Sequence, residues 1–189
     1  MLKKIFLIIV PLLAGYLVYA QFVPRMRPPV EPRVSHPPVP SGYQNVSNPL
    51  RNPGDEAVQK FIAERALAGI SVPEARQRLV ANYTEQGYAL YQKNCSHCHG
   101  VLADGRGPMA RGLRLKPANF RGPDSLAAVS ESYVFWRIKE GGVELPPEAT
   151  PWDSAMPAWK TGLTDEEIWK IVLAVYSMAG VSPKTAPAR

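Results

Sequence analysis

Cysteine is scarce in this chain, with two among 189 residues. That excludes a disulfide-stapled scaffold and any zinc site built on four thiolates. Histidine is hardly more plentiful: His36, His97 and His99 are the whole supply, and two of them sit beside the cysteines. Ligands crowded into five residues do not make a tetrahedral zinc set. Strand signals are faint and no internal repeat recurs, so neither a sheet protein nor a solenoid is expected. Long apolar runs are missing except at residues 5–23. The formal net charge is +6, yet residues 84–189 carry twelve basic and eleven acidic side chains, so the excess lies upstream. A nearly balanced carboxyl-terminal half carries no electrostatic footprint for nucleic acid.

What the chain does have is Cys95-Ser96-His97-Cys98-His99. Two thiols three positions apart face the same way on a helical turn, where both can bond the vinyl groups of one porphyrin, and the histidine that follows sits under the iron. Such a pair also serves thiol-disulfide exchange or half a zinc site. A thioredoxin-like site needs a strand before the motif, whereas residues 84–94 read as helix. His97 is expected to be a solvent-facing filler. The sixth iron position decides between electron carrier and haem enzyme, and its candidates are Met109 and Met156, with His36 remote in a proline-rich stretch. Met109 follows too closely to reach the far face easily. Met156 lies in the loop before the last helix, a natural lid, although a methionine there also suits plain packing.

Together with Met156-Pro157-Ala158-Trp159 and the helix start Leu163-Thr164-Asp165-Glu166-Glu167-Ile168-Trp169, the attachment motif resembles a monohaem class I cytochrome c over about residues 84–179. The resemblance implies an all-α shell around one covalent haem c, its first and last helices crossing beside the haem. Gly87 and Tyr91 match the first helix of that family, and Trp169, Val172 and Tyr176 the last. Cys95 and Cys98 are implied as attachment points, with His99 and Met156 as axial ligands. In the family a proline carbonyl often accepts the hydrogen bond of the axial imidazole; Pro108 resembles it, and Pro117 is also in range. The implied role is one-electron transfer in a respiratory chain, as a membrane-attached or periplasmic carrier or as the cytochrome subunit of a larger respiratory complex, and not enzymatic turnover. The partners implied are redox proteins or complex subunits. The alternatives are a haem enzyme or ligand sensor with a labile sixth ligand, or a thiol-disulfide oxidoreductase.

The remaining segments read as follows. Residues 1–23, with Lys3 and Lys4 ahead of the apolar run, are a cleavable signal peptide or a transmembrane anchor, and either places the rest in the periplasm or on the outer face of a bacterial cytoplasmic membrane. An uncleaved helix would add the membrane as a partner. Residues 24–53 hold nine prolines and few large apolar side chains, so an extended tether or arm is expected. Residues 54–83 form an extra helical segment, with one helix at 55–69 and a second starting near Ser71. The cytochrome domain then spans 84–180, including helices at 132–139 and from Thr164 to Gly180, before a flexible tail at 181–189. Thr164 and Glu167 make a capping box, and Ile168, Ile171, Val172, Val175 and Tyr176 recur at helical spacing.

Overall fold

Ser71 opens the longest helix: its hydroxyl accepts the Glu74 amide at 3.4 Å, and Pro73 occupies a position where no intrahelical donor is needed. The computed structural model describes residues 38–44, 46–122, 125–142 and 154–183, all within the compact unit Ser35–Arg189. Among these residues there are helices and turns but no strand. The helices are α1 (Asp55–Glu64), α2 (Val72–Asn94), the single turn α3 (Ser96–His99), α4 (Glu131–Glu140) and α5 (Asp165–Ala179). The apolar run at residues 5–23, His36, half of the proline-rich stretch and the tail beyond residue 183 lie outside the described residues. No helix among the described residues is long and apolar enough to cross a membrane.

The core is built where α2 meets α5. Gly87 is the reason they approach so closely, because a methyl group there would fall inside the carbonyl of Lys170. Around this contact Tyr91, Ile168, Ile171, Val172 and Val175 are all but sealed from solvent. Helix α4 closes a second side by stacking Phe135 on Trp169, ring centroids 4.0 Å apart. Two tyrosine hydroxyls are buried with their acceptors: Tyr91 donates to the Gly100 carbonyl at 2.7 Å and Tyr176 to that of Val129 at 2.9 Å. Both bonds tie a helix to a loop, which keeps a small domain rich in irregular chain in one arrangement.

Thr164 and Glu167 make the reciprocal capping box the sequence predicts, and Gly180 ends α5 in the left-handed region. Helix α4 begins and ends one residue outside the expected 132–139, with Ser130 as its cap. The helix expected at 55–69 stops at Glu64. Ala66 turns left-handed and the Leu67 amide reaches back to Ile62, a chain reversal that brings α1 onto the amino-terminal half of α2. A separate small core of Val58, Ala75 and Leu79, flanked by Phe61 and Ile62, forms there. The expected boundary between residues 83 and 84 falls inside α2, which runs unbroken from one core to the other. The extra segment is thus a rigid extension of the first cytochrome helix.

The described part of the proline-rich stretch is an arm laid on its own domain. Asn48 is buried and donates to the Trp169 carbonyl at 3.1 Å, while Arg51 pairs with Glu131 at 2.7 Å. Tyr43, on a short 3₁₀ turn, reaches Glu140 at the end of α4.

Candidate haem site

Helix α2 delivers the attachment motif. The Cys95 amide still bonds Tyr91 as the last turn of α2, and Cys98 and His99 then both donate back to the Cys95 carbonyl, at 3.2 and 2.9 Å. Cys95 and Cys98 therefore sit on one tight turn as free thiols. Ser96 fixes the start of that turn by donating to the Gln92 carbonyl at 2.6 Å, and His97 is exposed, as expected of a filler.

His99 is prepared as a ligand. Its Nδ1 lies 3.2 Å from the Ala118 carbonyl, which can only accept, so Nδ1 carries the proton and Nε2 keeps its lone pair. Burial holds the imidazole below its ordinary pKa, although the bond to Ala118 pulls the other way, so the ring is neutral near pH 7, the form that binds metal. Phe120 stacks on the ring at 4.8 Å with an interplanar angle of 13°. The loop that supplies both contacts is bound to the motif: Gly105 donates to the His99 carbonyl, Gly107 to that of Cys98, and Phe120 to that of Ala103.

Pro108 does not have the role the resemblance implied. It begins the short helical turn Pro108–Gly112, and the carbonyl that meets Nδ1 belongs to Ala118, immediately after Pro117. The reason is the path of the loop, which at Gly107 passes over the Cys98 carbonyl and returns to the imidazole only eleven residues later. No residue type marks a backbone acceptor, so the sequence carried no signal for Ala118 beyond its neighbour Pro117. Phe120 was likewise unmarked.

Met156 is partly buried and packs against the main core, as do Cys95, Phe120 and Trp159. Met109 is 58 % exposed, in keeping with a loop-surface residue. The backbone around Met156 is held on both sides: its carbonyl accepts the Gly142 amide at 2.8 Å and its own amide donates to Ser154 Oγ at 3.2 Å. Gly141, in the left-handed region, lets Pro157 press against the end of α4. Residues 143–153, which join α4 to this segment, lie outside the described residues.

These residues fit a covalently attached haem and fit the other readings poorly. Burial pushes the Cys95 thiol up to about 12, with Cys98 adding to it. A thiol-disulfide enzyme needs the opposite, a lowered thiol pKa. No group of three or more histidine, cysteine or acidic side chains among the described residues is placed to hold a metal ion, so zinc finds no ligand set there. The thiol pair suits attachment to a porphyrin, and the neutral imidazole with its outer nitrogen occupied and the thioether against the same core suit its iron.

Residues 82–173 match the family described as cytochrome c oxidase, cbb3-type, subunit III. These residues thus form a class I c-type cytochrome domain, whose cofactor is covalent haem c and whose role is electron transfer. No curated protein matches the sequence. Among solved structures, a chain of a reducing HAO-like protein complex from Kuenenia stuttgartiensis is similar at 26 % identity over 53 % of this chain, with a TM-score of 0.42. This chain spans 44 % of the length of that one.

Proposed function

We propose that this chain is an electron-transfer protein of a respiratory chain, working as a subunit of a larger respiratory complex or as a membrane-attached carrier, and not as an enzyme. In this reading Cys95 and Cys98 would hold the haem through thioether bonds, and His99 and Met156 would ligate its iron. The haem supplies a one-electron couple. Ala118 fixes the tautomer of His99 and Phe120 the plane of its ring, so the imidazole is held in one orientation before any metal binds. Gly142 and Ser154 hold the backbone of Met156, which would keep its thioether available to the iron, and specificity would then fall to docking. The observation that carries the reading is the Nδ1 bond of His99 to Ala118, one residue past an attachment turn that presents two free thiols.

The subunit version draws on the description of the matching family and on α1 and the docked arm, which extend the chain beyond the matched residues. The apolar run at residues 5–23 supports export to the periplasm, either attached to the membrane or released from it. The test is expression in a host that matures c-type haem. One haem that survives denaturation is expected on the wild type and none on a Cys95→Ala/Cys98→Ala variant. The reduced protein should titrate as a single one-electron wave. A wild-type protein without covalent haem, or one that turns over a substrate at the iron, would contradict the proposal.

A further inference from the structure

Three consecutive residues at the end of α4 hold the segment that carries Met156. Gly142 donates to the Met156 carbonyl, Gly141 leaves space for Pro157, and Glu140 Oε2 accepts from Lys160 Nζ at 2.8 Å. The two glycines act through backbone and shape, and neither reaches beyond this corner. Glu140 does, because its other oxygen accepts the hydroxyl of Tyr43, from the arm, at 2.5 Å. Both carboxylate oxygens are thus spent, one on the arm and one on the segment after Met156. The Tyr43 ring also lies 6.2 Å from that of Phe135, so the hydroxyl is aimed from a ring already against the core.

From this geometry we infer that Tyr43 and Glu140 are positioning residues for the Met156 ligand, joining the amino-terminal arm to the sixth iron position. The inference rests on the reading of Met156 as that ligand. Lys160 is four residues beyond Met156, and the 3₁₀ turn Trp159–Thr161 brings its amine to Glu140. Met156 is then pinned from one side by the Gly142 amide and from the other by a short chain whose far end is tied down. The Glu140–Lys160 pair has side chains 24 % and 38 % exposed and by itself contributes little to stability. Its consequence is geometric. With Tyr43 in place, Glu140 has one arrangement that satisfies both partners; without it, one carboxylate oxygen loses its partner and the hold of Glu140 on Lys160 weakens, which loosens the chain that carries the thioether.

The holoprotein tests this through Tyr43→Phe and Glu140→Gln, with Glu166→Gln as a control that removes the Glu166–Lys170 pair within α5. Two readouts are needed: the near-infrared methionine-to-iron charge-transfer band of the oxidised protein, and the rate at which carbon monoxide binds the reduced protein. Both are measured well below the unfolding transition. Losing one hydrogen bond of ordinary strength should speed carbon monoxide binding roughly two- to tenfold in Tyr43→Phe and at least as much in Glu140→Gln, with a weakened band. Lys160→Arg, which keeps the pair, should behave as wild type, and so should the control. Wild-type band and rate in both Tyr43→Phe and Glu140→Gln would overturn the inference while leaving Met156 as the ligand. A wild-type protein without the band would remove the ligand reading and the inference together.

Discussion

A histidine proposed as an iron ligand gains from having its other nitrogen committed, and for His99 a backbone carbonyl commits it. Ala118 gives His99 its tautomer and Phe120 gives it its plane. The ring stack is separable from the carbonyl bond, so Phe120→Leu, which keeps apolar bulk without a ring, should cost about 1 kcal/mol. That appears as a lower urea midpoint of the holoprotein, and an unchanged midpoint would show that the stack contributes nothing. At this scale the sequence was readable wherever side-chain chemistry decides. Two thiols and an adjacent imidazole at fixed spacing admit few uses, and Met156 stood out by its place before the last helix. The acceptor was not readable, because Ala118 acts through an atom that every residue has. Pro108 was favoured by resemblance alone, and the loop path passed that role to a residue ten positions on.

Helices α2 and α5 meet at Gly87, and that contact has a sign that can be measured. On an exposed helix face, glycine to alanine stabilises by up to about 1 kcal/mol. Against the Lys170 backbone the same methyl must force the helices apart, so Gly87→Ala should instead cost about 1–3 kcal/mol. Thermal unfolding of the holoprotein decides between them. The arm is governed by charge as well as shape. Hydrogen bonds from Lys160 and then Tyr43 hold Glu140 below the ordinary carboxylate range, against the effect of burial, with the charges of Lys160 and Lys139 adding to the shift. A carboxyl with a depressed folded pKa stabilises fully above its unfolded pKa and loses that contribution as pH falls through the folded value. The arm should therefore stay docked at neutral pH and loosen only as pH falls below the ordinary carboxylate range. Hydrogen exchange at residues 41–51, corrected for intrinsic rate, should show this, and Glu140→Gln should flatten the dependence. Helix starts were legible because caps and apolar spacing are local. The stop at Glu64 was not: it depends on Ala66 adopting a left-handed turn, which alanine does not announce as glycine would. The docking of the arm was hidden for a related reason, since Asn48 and Tyr43 find partners on helices some hundred residues away.

Charge is distributed unevenly over the whole molecule. Arg106, Arg111, Arg114, Lys116 and Arg121 lie exposed in the loop that also secures His99, while the acidic Glu144, Glu148 and Asp153 fall outside the described residues. Lys116 is partly occupied, donating to the carbonyls of Ala110, Arg111 and Leu113, but its charge still adds to the local field. An anionic oxidant approaching the haem from this side should be steered inward, and salt should screen the effect within about 10 Å at 0.1 M. Stopped-flow oxidation of the reduced protein by ferricyanide is expected to slow severalfold as salt rises from low to physiological strength. A rate indifferent to salt would place the transfer edge elsewhere. The covalent haem itself was legible from five residues, because attachment demands a particular order of side chains.

The most direct measurement is the visible spectrum of the oxidised and reduced protein, matured with haem, beside that of Met156→Ala. A low-spin wild type that becomes high-spin in the variant is the predicted result, since it places His99 and Met156 on one iron and leaves electron transfer as its work. A wild type already high-spin would contradict the account, because an open sixth position belongs to catalysis or ligand sensing.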